Sequence, residues 1–135
     1  MIVFIGCTKL KADKRCEAEQ LYKSTLFKYA LSYAKKLKPR KIYILSAKHG
    51  VLELNDIVSP YNETLNTKTK KEKQLWAYKC YYQLTKKNIN FEEEVVWLCG
   101  ENYREYLIRK FTNNKIPIKG LGIGEQLKFY KENVR

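Results

Sequence analysis

The chain has 135 residues, of which 44% are hydrophobic, and its 27 lysines and arginines outweigh 14 acidic residues to give a net charge of +13. This length and hydrophobic content exclude a disordered protein, and because no apolar run approaches the ~20 residues that span a bilayer we expect no membrane partner. The charge favours a nucleic acid or nucleotide as partner, although a lysine-rich composition from an AT-rich genome would look the same.

Strand-type and helix-type segments alternate along the chain. Ser24 is a suitable N-cap for the first long helix, and Pro39 follows its end. The predicted elements, in chain order, are strand 2–6, helix 24–37, strand 41–46, an irregular segment 47–69, helix 70–88, strand 94–99, helix 101–112, strand 116–119 and helix 124–133.

This alternation predicts a single α/β domain over residues 1–135, with a four-stranded parallel sheet between two helix layers. We favour the Rossmann-like strand order 2-1-3-4, which puts a topological switch point between strands 1 and 3. The N-terminus, Met-Ile-Val-Phe-Ile, has no basic segment before its apolar residues. It is therefore interpreted as the first strand and not a signal peptide, and a cytoplasmic location is expected.

The cysteines do not form a metal-binding or disulfide pattern. Their spacing is irregular, no Cys-x-x-Cys pair occurs, and the chain has one histidine. We therefore expect reduced thiols, no metal and no cofactor. The four cysteines are Cys7, Cys16, Cys80 and Cys99.

Three polar turns follow predicted strands, at residues 6–9, 46–50 and 120–126. In open α/β sheets, ligands bind beyond the carboxyl ends of the strands. Because the carboxyl ends of parallel strands meet at one edge of the sheet, we expect these three turns to form a single site.

The first turn, Gly6-Cys7-Thr8-Lys9, contains a candidate nucleophile and two candidate binding residues. Cys7 is a catalytic candidate if a nearby cation, from Lys9, Lys11 or His49, stabilises its thiolate; otherwise it is a small packing residue. Thr8 and Lys9 are candidates for hydrogen bonds to a phosphate or base edge. The pattern of a phosphate-binding Walker loop is absent.

The second turn, 46–50, holds His49 beside Lys48, and both are candidate catalytic residues. A neutral imidazole can act as a base, and an imidazolium can stabilise a leaving oxyanion. The charge of Lys48 would favour the neutral imidazole. Ser46 and Gly50 are candidate binding residues, since glycine allows close approach of a ligand to the backbone. The alternative is a structural histidine.

Two further segments contribute candidate binding residues. Tyr61, next to Pro60, is suited to stack on a base, or it anchors a surface loop. At the third turn, Gly124, Glu125 and Gln126 open the last helix. Exposed backbone N–H groups there would attract an anion, but the Glu125 carboxylate opposes a phosphate. Glu125 and Gln126 therefore either recognise a base or sugar edge, or Glu125 simply caps the helix.

These motifs together resemble a family of small bacterial and phage proteins labelled YaaA-like, over nearly the whole chain. Proteins of that family are associated with peroxide stress and DNA binding, which the resemblance implies here as an expectation. The motifs are Cys7-Thr8-Lys9 with Lys11, Leu21-Tyr22-Lys23-Ser24 with Phe27 and Tyr33-Ala34, residues 44–50 with Pro60-Tyr61 and Thr64-Leu65, and residues 120–127.

More distantly, the order of strands and helices and the Cys7…Leu21-Tyr22-x-Ser24 arrangement are similar to the uracil-DNA-glycosylase superfamily and its relatives in archaeosine synthesis. That superfamily has a four-stranded parallel sheet of order 2-1-3-4, and its site uses the turn after the first strand and a histidine-bearing turn. The resemblance implies those roles for residues 6–9 and 46–50. The usual aspartate or asparagine that activates water has no match here, and His49 comes earlier in the chain.

The leading hypothesis is a nucleobase- or nucleotide-recognising protein that acts on an N-glycosidic bond in nucleic acid. His49 and Lys48 would stabilise the leaving base, Tyr61 would stack on it, and surface lysines would hold phosphates. Two alternatives are a non-catalytic nucleic-acid-binding or stress-response protein, and a thiol-dependent enzyme that uses Cys7.

Overall fold

A computed structural model describes residues 1–134 as a mixed α/β structure. Two short 3₁₀ helices, Leu65–Thr67 and Ile108–Lys110, lie in the connections. The elements are β1 (Ile2–Gly6), β2 (Cys16–Glu17), α1 (Ala18–Leu21), α2 (Thr25–Lys36), β3 (Lys41–Ser46), β4 (Gly50–Glu53), β5 (Ile57–Val58), α3 (Lys70–Lys86), β6 (Val95–Leu98), α4 (Glu101–Arg104), β7 (Asn114–Lys115) and α5 (Ile123–Val134).

The main sheet has five strands in the order β4-β3-β1-β6-β7. Its centre is β1, which pairs in parallel with β3 on one side and β6 on the other. β7 continues the parallel pairing beyond β6, whereas β4 is antiparallel to β3. β2 and β5 form a separate two-stranded sheet. The α/β class predicted from the sequence is confirmed.

Helices cover both faces of the main sheet, because each central strand alternates apolar side chains between two cores. On one face, Phe4 and Trp97 stack at 4.7 Å between ring centroids and pack with residues of α3. On the other face, Val3 and Ile5 pack with residues of α1, α2 and α5. Burial of both faces requires the near-continuous apolar runs that the sequence shows.

Helix starts are set by local capping. Ser24 accepts a hydrogen bond from the backbone N–H of Phe27 at 3.1 Å, so it is the N-cap predicted from the sequence. Thr69 and Glu72 form a capping box at the start of α3, in which each side chain binds the other residue's backbone N–H. These caps stabilise the first turns of α2 and α3.

The sheet has five strands where the sequence predicts four. The additional strand, β4, lies within residues 47–69, which the sequence analysis describes as irregular. Ser46 pairs with Gly50 across a short turn, and the chain folds straight back against β3. Gly50 allows this turn because its φ is 78°, a conformation that other residues rarely adopt. The same segment also contributes β5.

Two predicted elements at the end of the chain differ in the structure. The fourth strand is at Asn114–Lys115, and residues 117–120 form turns instead, since Pro117 has no N–H to donate to a ladder. The helix predicted over 101–112 stops at Arg104. Phe111 packs on Phe4 and Trp97, and this tertiary contact directs the backbone away from a continuous helix.

We expect Gly50→Ala to destabilise the fold by more than Gly120→Ala. Both glycines have a φ of 78°, so an L side chain at either position costs about 1–2 kcal/mol. Only at Gly50 does the added Cβ overlap another group, the Gln83 carboxamide, whereas Gly120 has open space around it. Urea unfolding of the two variants measures the difference, and equal losses of unfolding free energy would contradict this account of the hairpin.

Candidate functional site

The topological switch point lies between β1 and β6. The connection after β1 runs to β3 on one side, and the connection after β6 runs to β7 on the other. These two connections therefore diverge at the carboxyl ends of adjacent strands and leave a crevice between them. Open α/β sheets bind their ligands in such a crevice. Gly6 ends β1 on one side of this crevice, and Cys99 and Gly100 follow β6 on the other.

A cavity of about 230 Å³ occupies this crevice. Part of its wall is apolar and comes from α2, β6 and α5, through Leu26, Phe27, Leu98 and Tyr130. The polar part of the wall comes from the turn after β1, the 3₁₀ helix Leu65–Thr67, α4 and the first turn of α5. These polar residues are Cys7, Thr8, Asn66, Tyr103 and Gln126.

Hydrogen bonds fix the orientation of several polar groups in the cavity wall. The Thr8 hydroxyl accepts a hydrogen bond from Ser24 at 3.0 Å, and the Asn66 carboxamide oxygen accepts one from Asn102 at 2.9 Å. The Gln126 Nε2 donates to the Leu121 carbonyl at 3.0 Å, which fixes the carboxamide in the cavity wall. The wall therefore offers preset donors and acceptors within an otherwise apolar enclosure.

Cys7 connects the cavity to a cluster of buried hydroxyl groups. Its Sγ lies 3.4 Å from the Tyr103 hydroxyl, and it accepts a hydrogen bond from the Ala47 N–H at 3.4 Å. On its other side, Ser46 donates to the Tyr61 hydroxyl at 2.8 Å, and Tyr61 is 2.6 Å from the Tyr22 hydroxyl. We call Cys7, Tyr22, Ser46, Tyr61 and Tyr103 the thiol–phenol cluster.

The phenols of the thiol–phenol cluster remain protonated at neutral pH. Burial raises the pKa of Tyr22, Tyr61 and Tyr103 well above the ordinary value of a phenol. Burial also raises the pKa of the Cys99 thiol, which lines the cavity, to about 12. These groups therefore act as neutral hydrogen-bonding partners.

Lys11 is the cation that the fold brings to the thiol–phenol cluster. Its Nζ lies 4.5 Å from the centroid of the Tyr61 ring, and it donates to the Lys9 carbonyl at 3.2 Å. Burial lowers the pKa of Lys11, while the proximity of Cys7 raises it. The Lys9 side chain itself is exposed. Of the three cations considered for Cys7 from the sequence, Lys11 is the one in electrostatic contact with it.

His49 and Lys48 lie in the turn between β3 and β4 and do not line the cavity in the described part of the chain. The His49 imidazole meets the edge of Tyr61 at 5.4 Å between ring centroids, and Lys48 is exposed. Within residues 1–134, the ring nitrogens of His49 form no hydrogen bond with Cys7 or Gln126. The structure thus joins Cys7, Thr8 and Gln126 at one cavity and places His49 outside it, against the ring of Tyr61.

The remaining candidates from the sequence have structural contacts in the fold. Ser46 is fully buried, and its hydroxyl accepts from the His49 N–H at 3.0 Å while donating to Tyr61. The Gln83 carboxamide lies against Gly50 and bonds both the Val51 N–H and the His49 carbonyl. Close approach at Gly50 is therefore to a protein side chain.

At the start of α5, Glu125 acts as a cap. Its carboxylate accepts a hydrogen bond from the Gly122 N–H at 3.1 Å, which is the structural alternative stated for it in the sequence analysis. Gly124 is exposed in the same turn, and only Gln126 of this trio lines the cavity.

Sequence reasoning did not identify several cavity residues. Asn66 lies in the segment described as irregular, and Leu26 and Tyr130 have the spacing of ordinary core residues. Tyr103 differs from these, because the segment 99–103 at the end of a predicted strand is a sequence candidate for a further wall of the site, and Cys99, Gly100 and Tyr103 line the cavity. A polar residue one turn beyond a strand end is positioned to face the switch point.

Two features are absent from residues 1–134. No group of three or more His, Cys, Asp or Glu residues is arranged to hold a metal ion. No helix is both long enough and apolar enough to cross a membrane.

The fold and the cavity define an α/β protein with a ligand-sized crevice at the switch point of its sheet. A family model for a family of unknown function, DUF6884, matches residues 2–132, and the chain belongs to that family. No curated protein matches the chain at a significant level.

We expect the pKa of His49 to lie below its ordinary value of 6.5. Burial lowers it first, and the charges of Lys48 and Lys79 lower it further against a small opposing effect of Glu63. Lys79→Gln should move the pKa up toward 6.5, whereas Lys28→Gln, on α2, should leave it unchanged. NMR titration of the single imidazole measures both.

The lowered pKa of His49 also predicts how the free energy of unfolding depends on pH. Because the folded pKa is lowered, the unfolded chain binds the proton more readily, and the contribution of neutral His49 is complete above pH 6.5 and decreases as the pH falls through the folded pKa. His49→Gln should remove this part of the pH dependence of unfolding. An unchanged pH dependence, or an imidazole pKa above 6.5, would contradict the described environment.

Proposed function

We propose that the protein recognises a nucleobase or nucleotide in the switch-point cavity and acts on its N-glycosidic bond. The observation that carries the proposal is the cavity itself: a crevice between β1 and β6 with apolar walls and a few oriented polar groups. This is the usual composition and location of a small-molecule site in an α/β sheet. A cytoplasmic location is part of the same proposal.

The size and lining of the cavity suit a flat, hydrogen-bonding ring. At about 230 Å³ it is smaller than the ~300–1,000 Å³ of pockets for drug-sized ligands. The rings of Phe27 and Tyr130 supply apolar surface, and Thr8 and Gln126 supply a hydroxyl and a carboxamide that pair with base edges. A lipid or an extended peptide would not use this combination.

Hydrolysis of an N-glycosidic bond would proceed with the base leaving as it takes the bonding electron pair. Water then adds its hydroxide to the sugar carbon, and its proton goes to the departing base. Negative charge on the base would be stabilised by hydrogen-bond donors that line the cavity, Thr8 and Tyr103. His49 and Lys48 keep their proposed role for a substrate that extends past Tyr61 to the hairpin turn.

The resemblance of the sequence motifs to the uracil-DNA-glycosylase superfamily also supports this reaction class. In that superfamily the turn after the first strand belongs to the active site. The corresponding residues here, Gly6 to Thr8, form one wall of the cavity. The strand order 2-1-3-4 expected from that superfamily and the YaaA-like relationship belong to the proposal in the same way.

Loss of cavity hydrogen bonds should weaken base binding. We expect Thr8→Val with Gln126→Leu to reduce the affinity for the preferred base or nucleoside at least about tenfold, because two directional contacts are lost. Isothermal titration against a panel of bases, nucleosides and nucleotides measures this. Thr112→Val with Gln20→Leu changes the same residue types outside the cavity and should have no effect. Equal affinities in all three proteins would reject the cavity as the binding site.

Base release tests the reaction. The protein is incubated with DNA and RNA carrying normal and modified bases, and free base is detected by mass spectrometry. We expect release that falls at least about tenfold in Tyr103→Phe, which keeps the ring but removes the donor hydroxyl. His49→Ala reports whether the hairpin turn takes part. No release from any substrate, with binding intact, would favour the non-catalytic nucleic-acid-binding alternative.

A thiol-dependent enzyme is the second candidate, and the surroundings of Cys7 favour it. A backbone N–H points at its Sγ, Tyr103 is within hydrogen-bonding distance, and Lys11 is close enough to interact electrostatically. These groups surround the thiol with polar partners and one cation, which is the kind of setting in which catalytic cysteines occur.

The thiol alternative predicts selective alkylation of Cys7. Cys16 is also half-buried and serves as an internal control, while Cys80 and Cys99 are buried. Iodoacetamide should modify Cys7 faster than Cys16, and Lys11→Met should remove the difference. Peptide mass spectrometry follows both sites. Equal rates at the two cysteines, with activity retained in Cys7→Ser, would exclude covalent catalysis by this thiol.

A further inference from the structure

The outward face of α3 is unusual because it exposes large side chains. Trp76, Ala77, Cys80 and Leu84 form its buried face. On the opposite face Leu75, Tyr78 and Tyr82 are exposed by 62%, 65% and 53%. Their spacing of three and four residues puts all three in a single line along the helix. Half of the large hydrophobic side chains that are most exposed in residues 1–134 therefore lie in this line.

Lysines surround the line of exposed rings. Lys71 and Lys86 extend it at its two ends, and Lys79 flanks it, all three being exposed. The Lys86 ammonium lies 4.8 Å from the centroid of the Tyr82 ring. We call Lys71, Leu75, Tyr78, Lys79, Tyr82 and Lys86 the α3 outer face. Glu72 borders this face, and its carboxylate accepts a hydrogen bond from the Thr69 N–H in the helix cap.

The cationic surface continues from α3 onto the neighbouring hairpin. Lys79 donates from its Nζ to the Lys48 carbonyl at 3.1 Å, so the side chain of Lys79 is held beside the exposed Lys48. The Lys79 ammonium is thereby held at the backbone of the hairpin turn, in a surface depression where Lys48, Lys68 and Lys79 outnumber Glu63 and Glu72. Such a surface attracts a polyanion.

We propose that the α3 outer face binds single-stranded nucleic acid, with bases stacked on Tyr78 and Tyr82 and phosphates held by the flanking lysines. Exposed aromatic rings set among cations are the arrangement that single strands use, since every base offers a face for stacking and every linkage a negative charge. Tyr78 and Tyr82 are about 6 Å apart along the helix axis, which suits neighbouring nucleotides of an extended strand.

Two other occupants fit the face less well, one because of its charge and the other because of its small apolar area. A second copy of the chain would bring Lys71, Lys79 and Lys86 against the same lysines of its partner, and like charges there oppose association. A membrane surface favours larger apolar side chains than one leucine and two tyrosines, whose hydroxyls stay in water. A single strand of nucleic acid offers bases that stack on the tyrosine rings and phosphates that pair with the lysines.

The N-terminal half of α3 leads to the cavity. The Lys73 Nζ donates to the Asn102 side chain at 3.1 Å, and Asn102 donates to Asn66, which lines the cavity. Lys73 is two positions after Lys71 and therefore lies on the other side of the helix, so this chain of hydrogen bonds links the body of α3, and not its outer face, to the cavity rim. The inference rests on the proposed function in one respect: it names a base within a polynucleotide, and not a free nucleotide, as the substrate.

The test measures binding of fluorescently labelled dT20 and rU20 by anisotropy at several salt concentrations. We expect Tyr78→Ala with Tyr82→Ala to weaken binding at least about tenfold, and the matched Tyr78→Phe with Tyr82→Phe to stay within about threefold, because the rings remain. Ile57→Ala changes an exposed apolar residue elsewhere and should have no effect. Comparison of the two oligonucleotides distinguishes DNA from RNA.

The lysines are tested through the salt dependence. Lys71→Gln with Lys86→Gln should lower the slope of log affinity against log salt by about 1.4, since each phosphate contact to a single strand contributes about 0.7. Lys28→Gln with Lys128→Gln removes two exposed lysines from α2 and α5, on the other face of the sheet, and should change the slope less. All substitutions are at exposed positions, and thermal melting verifies that the variants fold.

Several results would overturn the inference. These are equal affinities of the Ala/Ala variant and the native protein, equal slopes in both lysine pairs, binding to anionic phosphatidylserine vesicles but not to oligonucleotides, or self-association abolished by the tyrosine substitutions. The cavity variant Thr8→Val with Gln126→Leu separates the two proposals. If it binds strands normally, and no base binds the cavity of the native protein, the proposed function fails while the strand-binding face stands.

Discussion

The buried Ser46 residue links several otherwise separate parts of the structure. Its hydroxyl donates to Tyr61 and accepts from the His49 N–H, while its carbonyl accepts from the Trp76 indole at 2.8 Å. One residue at the end of β3 thus holds the hairpin turn, the loop that carries Tyr61, and helix α3. Without these bonds, polar groups would be left unsatisfied in the interior, at a cost of about 1–3 kcal/mol each.

This arrangement also sets the hairpin turn that carries His49 apart from the cavity at the same edge of the sheet. His49 contacts the ring of Tyr61, whose hydroxyl is bonded to Ser46 and Tyr22, and neither His49 nor Tyr61 lines the cavity. Cys7 can serve both sides, since its Sγ meets the hairpin at the Ala47 N–H and meets Tyr103 in the cavity wall. Residues at the ends of β1 and β6 line the cavity. β3 does not line it, but pairs with β1 and leads to Ala47, whose N–H bonds Cys7.

Local signals in the sequence were sufficient for part of this architecture. The strand at 2–6 and the helix capped by Ser24 depend on short-range patterns, and both occur as predicted. Strand β4 did not follow from a pattern, because its pairing with β3 is defined by the positive φ of Gly50 and by Gln83, 33 positions away. Likewise Asn66 is held in the cavity wall by long-range contacts, its own bond to Asn102 and the bond from the Leu65 N–H to Tyr103. In the site, turns after strands were recognisable, but which of them share a cavity depends on tertiary packing.

The two ends of the main sheet have a consequence for the solubility of the folded chain. β7 has only two residues, and one of them, Lys115, is paired with Glu94 at 2.6 Å. At the opposite edge, Glu53 of β4 lies between Lys41 at 2.7 Å and Lys87 at 3.1 Å. At the β7 edge, a strand from another molecule could pair with only two residues. At the β4 edge, it would have to desolvate the paired charges of Glu53, Lys41 and Lys87. Edge-to-edge aggregation is opposed at both margins, so the parallel centre of the sheet can be strongly apolar without becoming a hazard.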